Sequence, residues 1–209
     1  VSGAIDLAAL AQSLEALLAA AGEPLSLDRL TALVEPDHGA GRGDVRRALE
    51  ALAVRYEASA SEVVEVASGW RLQVRARHAG LLARLWEERP PKLSRAVLET
   101  LAIIVYRQPL ARSDIEAIRG VSVSTQIMKT LDGYDWIKVV GHRDVPGRPA
   151  LYATTARFLD DFGLARLSDL PPLAEVKDAE ALDVALARLA DTEGDSAETA
   201  GTDSDSGLA

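Results

Sequence analysis

The order of elements, spelled out twice along the chain, constrains its fold more than any other feature. Apolar residues at Leu7, Leu10, Leu14, Leu17, Leu18 and Ala21 recur at three-and-four spacing, the stripe of an amphipathic helix. Gly22 reads as a stop and Pro24 as a break. Ser26 is a cap for a short second helix carrying Leu27, Leu30, Leu33 and Val34. Pro36 to Gly43 reads as a loop, after which Asp44 starts a third helix with Val45, Leu49, Leu52, Ala53 and Tyr56 on one face. The period then changes. Val64, Val66, Trp70, Leu72 and Val74 alternate about Ser68-Gly69, which predicts a hairpin. Arg77 to Glu88 returns to helical spacing through Leu81, Leu82, Leu85 and Trp86.

Arg89-Pro90-Pro91-Lys92 is a stiff, basic break, and the domain boundary is placed there. After it the same order returns. Ser94 caps a helix with Val97, Leu98, Leu101, Ile104 and Val105, which Pro109 ends. Ser113 caps a short helix with Ile115 and Ile118, ended by Gly120. Ser122 or Ser124 opens a third helix with Ile127, Met128 and Leu131. Ile137 to Val140 and Leu151 to Thr154 are strands about a turn rich in Gly, Pro and Arg, and Arg157 to Phe162 is a last short helix before Gly163. Leu18, Pro24, Leu25, Leu30 and Leu33 sit 85 positions before Ile103, Pro109, Leu110, Ile115 and Ile118, which makes this an internal repeat. Three helices followed by a two-stranded hairpin is the winged-helix layout. The expected fold is therefore α+β and mainly helical: two tandem winged-helix domains, residues 1–89 and 93–170, followed by a tail over 171–209.

Units of roughly 70 to 85 residues bury only about 60% of their unfolded surface. They are expected to recover stability by packing on each other or on a second copy. Trp86 and Trp136, read as exposed at helix edges, would suit that.

Charge separates the tail from the rest. The chain carries a formal charge of −9, but residues 171–209 hold ten acids and two bases, so the preceding 170 residues are close to neutral. Asp191 to Ala209 is built from Asp, Glu, Ser, Thr, Gly and Ala and reads as a disordered acidic segment, preceded by a short helical pattern at Leu182, Leu186 and Leu189. The longest strictly apolar runs are six residues, Ala16 to Ala21 and Leu101 to Tyr106, far short of the roughly 18 that a membrane helix needs. No secretory signal pattern opens the chain, so a cytoplasmic protein without membrane contact is expected.

The residues point away from catalysis. With no cysteine, thiolate zinc sites, iron–sulfur clusters and cysteine nucleophiles are excluded. His38, His78 and His142 lie far apart, and no pair has metal-ligand spacing. Gly39 to Gly43 follows no strand and lacks the Gly-Lys-Ser/Thr ending of a phosphate loop. The neighbouring carboxylates Asp160-Asp161 and Glu87-Glu88 fall in helical, solvated stretches and point different ways. No cofactor and no metal is expected. DNA is the rival partner, since winged helices bind duplexes. The relevant third helix, from Ser122, offers only Gln126 and Lys129, the wing offers His142, Arg143 and Arg148, and the first unit offers Arg42, Arg46 and Arg47. Such scattered cations predict weak or indirect DNA contact, with a DNA-binding transcriptional regulator as the alternative reading.

Several stretches carry a family resemblance. L-S-R-A-V-L-E-T-L-A-I-I-V-Y-R-Q-P (Leu93 to Pro109), R-S-D-I-E-A-I-R-G-V (Arg112 to Val121) and D-V-P-G-R-P-A-L-Y-A-T-T (Asp144 to Thr155) resemble the segregation and condensation protein B family, ScpB. F-L-D-D-F-G-L, D-L-P-P-L and the earlier A-A-G-E-P-L-S-L extend the likeness over roughly residues 10 to 173, while Asp132-Gly133-Tyr134-Asp135 departs from it. The resemblance implies a non-catalytic, nucleoid-associated scaffold. It would be a homodimer that holds the kleisin ScpA and, through it, the SMC ATPase, in chromosome condensation and segregation. Dimerisation would use chiefly the first unit, and the candidates are Leu7, Leu10 and Leu14 with Val64, Val66 and Trp70 of the hairpin. Kleisin capture calls for apolar anchors rimmed by polar groups. The candidates for it are Tyr106, Arg107, Gln108 and Pro109 at a helix end, and Val145, Pro146, Arg148 and Tyr152 around the second wing.

Overall fold

The computed structural model describes residues 5–85 and 93–171. The tail beyond Pro171, Trp86 and the break at 89–92 lie outside the described residues. The described chain is a mixed α/β protein of eight α-helices and two small antiparallel sheets, and its buried side chains form two core clusters.

The first cluster gathers one face from each of three helices. Helix α1 (Leu7–Ala20) opens where the Asp6 carboxylate accepts the Ala8 and Ala9 amides, and it buries Leu10, Leu14 and Leu18, four residues apart. Helix α2 (Leu27–His38) is capped by Ser26 and buries Leu27, Leu30 and Val34. Helix α3 (Arg42–Arg55) adds Val45, Ala48, Leu49 and Leu52. Strands β1 (Ser61–Val66) and β2 (Gly69–Val74) form a hairpin closed by Ala67-Ser68, which brings Val63 and Trp70 onto the same core. Leu25, between α1 and α2, exchanges two backbone hydrogen bonds of 2.9 Å with Trp70 and so extends the hairpin sideways.

The second cluster repeats this plan. Helix α5 (Arg95–Arg107) is capped by Ser94, and helix α7 (Thr125–Gly133) by Ser124. Strands β3 (Leu110–Ala111), β5 (Ala150–Thr154) and β4 (Ile137–His142) pair in that order, with a bulge between Val139 and Gly141. Helix α6 (Arg112–Arg119) follows β3 directly, and Gly120, at φ 73°, closes it in the left-handed conformation. Helix α8 (Ala156–Asp161) starts at the cap Thr155 and drives Phe158 into the cluster.

Several sequence expectations are corrected. The loop expected over 36–43 shrinks to 39–41, because Pro36 is accommodated in the last turn of α2, where Gly39 in the left-handed region returns its amide to the Glu35 carbonyl. Asp44 and Ser113 do not begin their helices. Asp44 and Asp114 instead occupy the third helical position and accept the amides of the cap residues Gly41 and Ala111, three residues before Asp44 and two before Ser113. Of the helix expected over 77–88, residues 77–85 are described: a short 3₁₀ turn at Ala76–His78 leads into α4 (Ala79–Leu82), and Leu81 and Leu85 are exposed. Strand β3, not anticipated, makes the second sheet three-stranded. Trp136 is not an exposed edge residue: it is 1% exposed, stacked on Tyr134 at 4.7 Å and met edge-on by Phe162.

Candidate partner-binding surfaces

Pro109 shapes the first candidate surface. A residue before proline disfavours the helical region, so α5 stops at Arg107 and Gln108 turns extended. The Gln108 side chain then reaches back: its Oε1 accepts the Thr154 amide at 2.6 Å and the Thr154 hydroxyl at 3.0 Å, while Nε2 donates to the Val105 carbonyl at 3.2 Å. Gln108 is thus a brace between α5 and β5 rather than a free contact. Arg107 and Pro109, on either side of it, are held out to solvent. Tyr106 packs against the second core, its hydroxyl donates to the Pro171 carbonyl at 2.8 Å, and burial raises its pKa. Tyr152 lies opposite Leu110 and Val139 across the sheet and is half-buried against the same core. Tyr106, Gln108 and Tyr152 are therefore half-buried, and each makes contacts within the fold.

The other candidates occupy the turn between β4 and β5. Val145, Pro146 and Arg148 are exposed, and the turn is closed by the Arg148 amide on the Val145 carbonyl at 2.9 Å and the Arg143 amide on the Pro149 carbonyl at 3.0 Å. Arg143 fastens this turn to α6, with Nη1 and Nη2 on the two Asp114 oxygens at 3.0 and 2.5 Å. The Arg143 guanidinium and then the Ala111 amide hold the Asp114 carboxyl below its ordinary pKa, and Asp114 raises that of Arg143 in return. Arg143 itself is consequently committed to structure.

The same holds for the first group of arginines. Arg42 pairs with Asp28, Arg46 with Glu65 at 3.2 Å, and Arg47 with Asp44 at 2.5 Å. These pairs are largely exposed and add little stability, but they cancel the local charge a duplex would need. His38 is not a free surface group either, since its Nε2 lies 2.9 Å from the Ser13 hydroxyl. Among the described residues no three His, Asp or Glu side chains converge on a point.

The dimerisation candidates separate by burial. Leu10 and Leu14 are fully enclosed in the first core, and Val66 and Trp70 are nearly so, which leaves them no surface to offer a second chain. Leu7 is exposed and Val64 half-buried. A groove of about 470 Å³ between the starts of α5 and α7, lined in part by Leu93, Val97, Ile127 and Tyr134, was not signalled by the sequence, because its walls meet only through tertiary packing. Nor was the environment of Asp160. It was expected to be solvated, but it is 7% exposed and accepts hydrogen bonds from Ser68, far away in sequence.

The class that this architecture defines is a mixed α/β protein whose two helical core clusters are each joined by a small antiparallel sheet. Residues 12–173 match the family model for the segregation and condensation complex subunit ScpB. A segregation and condensation protein B homolog of Coxiella burnetii is 47% identical over 170 residues, covering 81% of each chain. The segregation and condensation protein B of Syntrophotalea carbinolica is 41% identical, covering 85% of this chain and 91% of the relative. The crystal structure of ScpB from Mycobacterium tuberculosis is 34% identical over 78% of this chain and 99% of that one, with a TM-score of 0.37. The chain belongs to the ScpB family, whose members are subunits of the segregation and condensation complex. No helix among the described residues is long and apolar enough to cross a membrane.

Proposed function

We propose that this chain is a non-catalytic, homodimeric scaffold that binds the kleisin ScpA and thereby joins the SMC complex in chromosome condensation and segregation. On this reading residues 1–89 and 93–170 are tandem winged-helix domains, the first for dimerisation and the second for ScpA. The observation that carries the assignment of the ScpA surface is the brace at Gln108. By locking α5 onto β5 it presents Arg107 and Pro109 rigidly, on the same half of the molecule as the exposed Val145, Pro146 and Arg148. A preformed surface loses little entropy on binding, which favours a stable complex. The DNA-regulator reading is weakened by the ion pairs that occupy Arg42, Arg46, Arg47 and Arg143.

The test is co-purification with ScpA at moderately high salt, by the chain with and without the acidic tail, together with light scattering of the chain alone. Because Tyr106 donates to the Pro171 carbonyl, the truncation belongs after Pro171 rather than at the expected tail start. A dimer that retains ScpA in both forms is expected. A monomer that releases ScpA overturns the proposal, and loss of ScpA on truncation alone overturns the assignment of the tail as dispensable.

A further inference from the structure

The two core clusters touch through a small set of polar contacts with an unusual geometry. The Asp160 carboxylate on α8 accepts the Ser68 amide on one oxygen at 2.8 Å and the Ser68 hydroxyl on the other at 2.5 Å. Beside it the Ala67 amide donates to the Leu164 carbonyl at 3.0 Å. Successive amides of the β1–β2 turn therefore both point at α8 and the residues just after it. Hydrogen bonds to a carboxylate are short and strong, and here the carboxylate is removed from water, which strengthens them further.

Both sides of the contact are stiff. On the donor side, Gly69 follows the turn and packs on the backbone of Leu25 and Ser26, while Trp70 bonds to Leu25 in both directions. On the acceptor side, Phe158 anchors α8 in the second core, and Asp161 holds the Trp136 indole N–H at 2.8 Å. Arg71, two positions past Gly69, feels the same carboxylates: burial lowers its pKa, and the charges of Asp160 and Asp161 oppose that shift. A rigid donor seated on a rigid acceptor transmits orientation rather than absorbing it.

We infer that the Ala67-Ser68 turn and Asp160 form an intramolecular latch that fixes the two halves of the chain in one mutual orientation. The latch is a conformational device independent of the ScpA assignment: it stands or falls on the orientation of the two halves, with or without a partner.

The chain has no cysteine, so a label pair is introduced cleanly at Glu50→Cys on α3 and Lys129→Cys on α7, both exposed positions. Spin labels on this pair, in protein diluted with an excess of unlabelled chain so that only distances within one chain are read, report the orientation by pulsed electron paramagnetic resonance. The otherwise unaltered chain is expected to give a single narrow distance distribution. Asp160→Ala removes the acceptor, and Ser68→Glu places a second carboxylate against it from a hairpin turn whose own fold does not depend on α8. Both are expected to replace the narrow peak with a broad or shifted one while circular dichroism stays unchanged. Should Asp160→Ala lose helix signal, Ser68→Glu decides. A broad distribution in the parent chain, or a peak equally narrow and unmoved in Ser68→Glu, overturns the latch.

Discussion

Gly69→Ala isolates the contribution of one backbone crossing to the first half of the molecule. Gly69 sits at φ 145°, a conformation that residues with a side chain rarely adopt. A Cβ built there would lie 2.2 Å from the Leu25 carbonyl oxygen, 2.4 Å from its carbon and 2.6 Å from the Ser26 nitrogen. All three are backbone atoms, so no rotamer change relieves the clash. The chain at 24–26 must move, which breaks both 2.9 Å bonds between Leu25 and Trp70 and pulls on the cap at Ser26. The backbone conformation alone costs about 1–3 kcal/mol, and two hydrogen bonds add about 1 kcal/mol each, giving about 3–5 kcal/mol in all. Gly147→Ala supplies the control. Gly147 also has positive φ, 85°, but a Cβ there meets nothing within 4 Å, so only the conformational cost of about 1–2 kcal/mol applies. Urea unfolding followed by circular dichroism compares the two, and melting temperatures should fall by about 4–8 °C per kcal/mol for a cooperative unit of about 80 residues. If Gly69→Ala comes within about 0.5 kcal/mol of Gly147→Ala, the two-way bonding of Leu25 to Trp70 does not hold the hairpin in place, and the reasoning from the crossing fails.

Leu14→Ala, at a fully buried position, is expected to destabilise the chain by about 2–5 kcal/mol, whereas Leu7→Ala, 38% exposed, stays within about 0.5 kcal/mol in the same urea measurement; equal effects would contradict the placement of the α1 stripe. Asp114 contributes stability through its depressed carboxyl pKa. That contribution is present above its ordinary value of 3.8 and is lost as pH falls through the lower, folded value. A carboxyl carbon titration by nuclear magnetic resonance should therefore place Asp114 below 3.8 in the parent chain and higher in Arg143→Ala, and an unchanged titration would remove Arg143 as the leading cause.

What the sequence disclosed was local. The Pro-Leu pair that recurs at Pro24-Leu25 and Pro109-Leu110 marks the same place in both halves: proline follows a helix end, and the leucine after it pairs with the return strand of the hairpin, Leu25 with Trp70 and Leu110 with Tyr152. The helix faces were legible because burial repeats every three or four residues, and Ser26, Ser94 and Ser124 were legible as caps because their hydroxyls satisfy amides three positions on. Strand β3 was not legible, since two residues have no period. The caps at α3 and α6 were misplaced for a related reason. There the carboxylate sits inside the helix and reaches backward, so Asp44 looked like a beginning, and Ser113 drew attention away from Asp114.

The site residues were harder to read because a side chain's freedom is decided by neighbours distant in sequence. Gln108 has the composition of a contact residue, and Tyr106 and Tyr152 have that of interface anchors. Only the fold reveals that Gln108 is spent on Thr154, 46 positions away, and that the tyrosines pack inward. Asp160 is the sharpest case. As part of an acidic pair on a short amphipathic helix it has every local mark of a solvated carboxylate. Leaving it there unpaired and buried would cost several kcal/mol, and that cost is offset by the amide and hydroxyl of Ser68 and by the nearby charge of Arg71. The turn for its part directs two successive amides away from its own sheet, one at Asp160 and one at the Leu164 carbonyl. The expectation was packing of the two parts on each other or on a second copy; within the chain they meet through a polar contact. A polar contact differs from an apolar patch in one consequential respect, because it demands direction as well as proximity. It therefore fixes an angle between the two halves, which is the property a scaffold uses when it must hold partners in a set geometry.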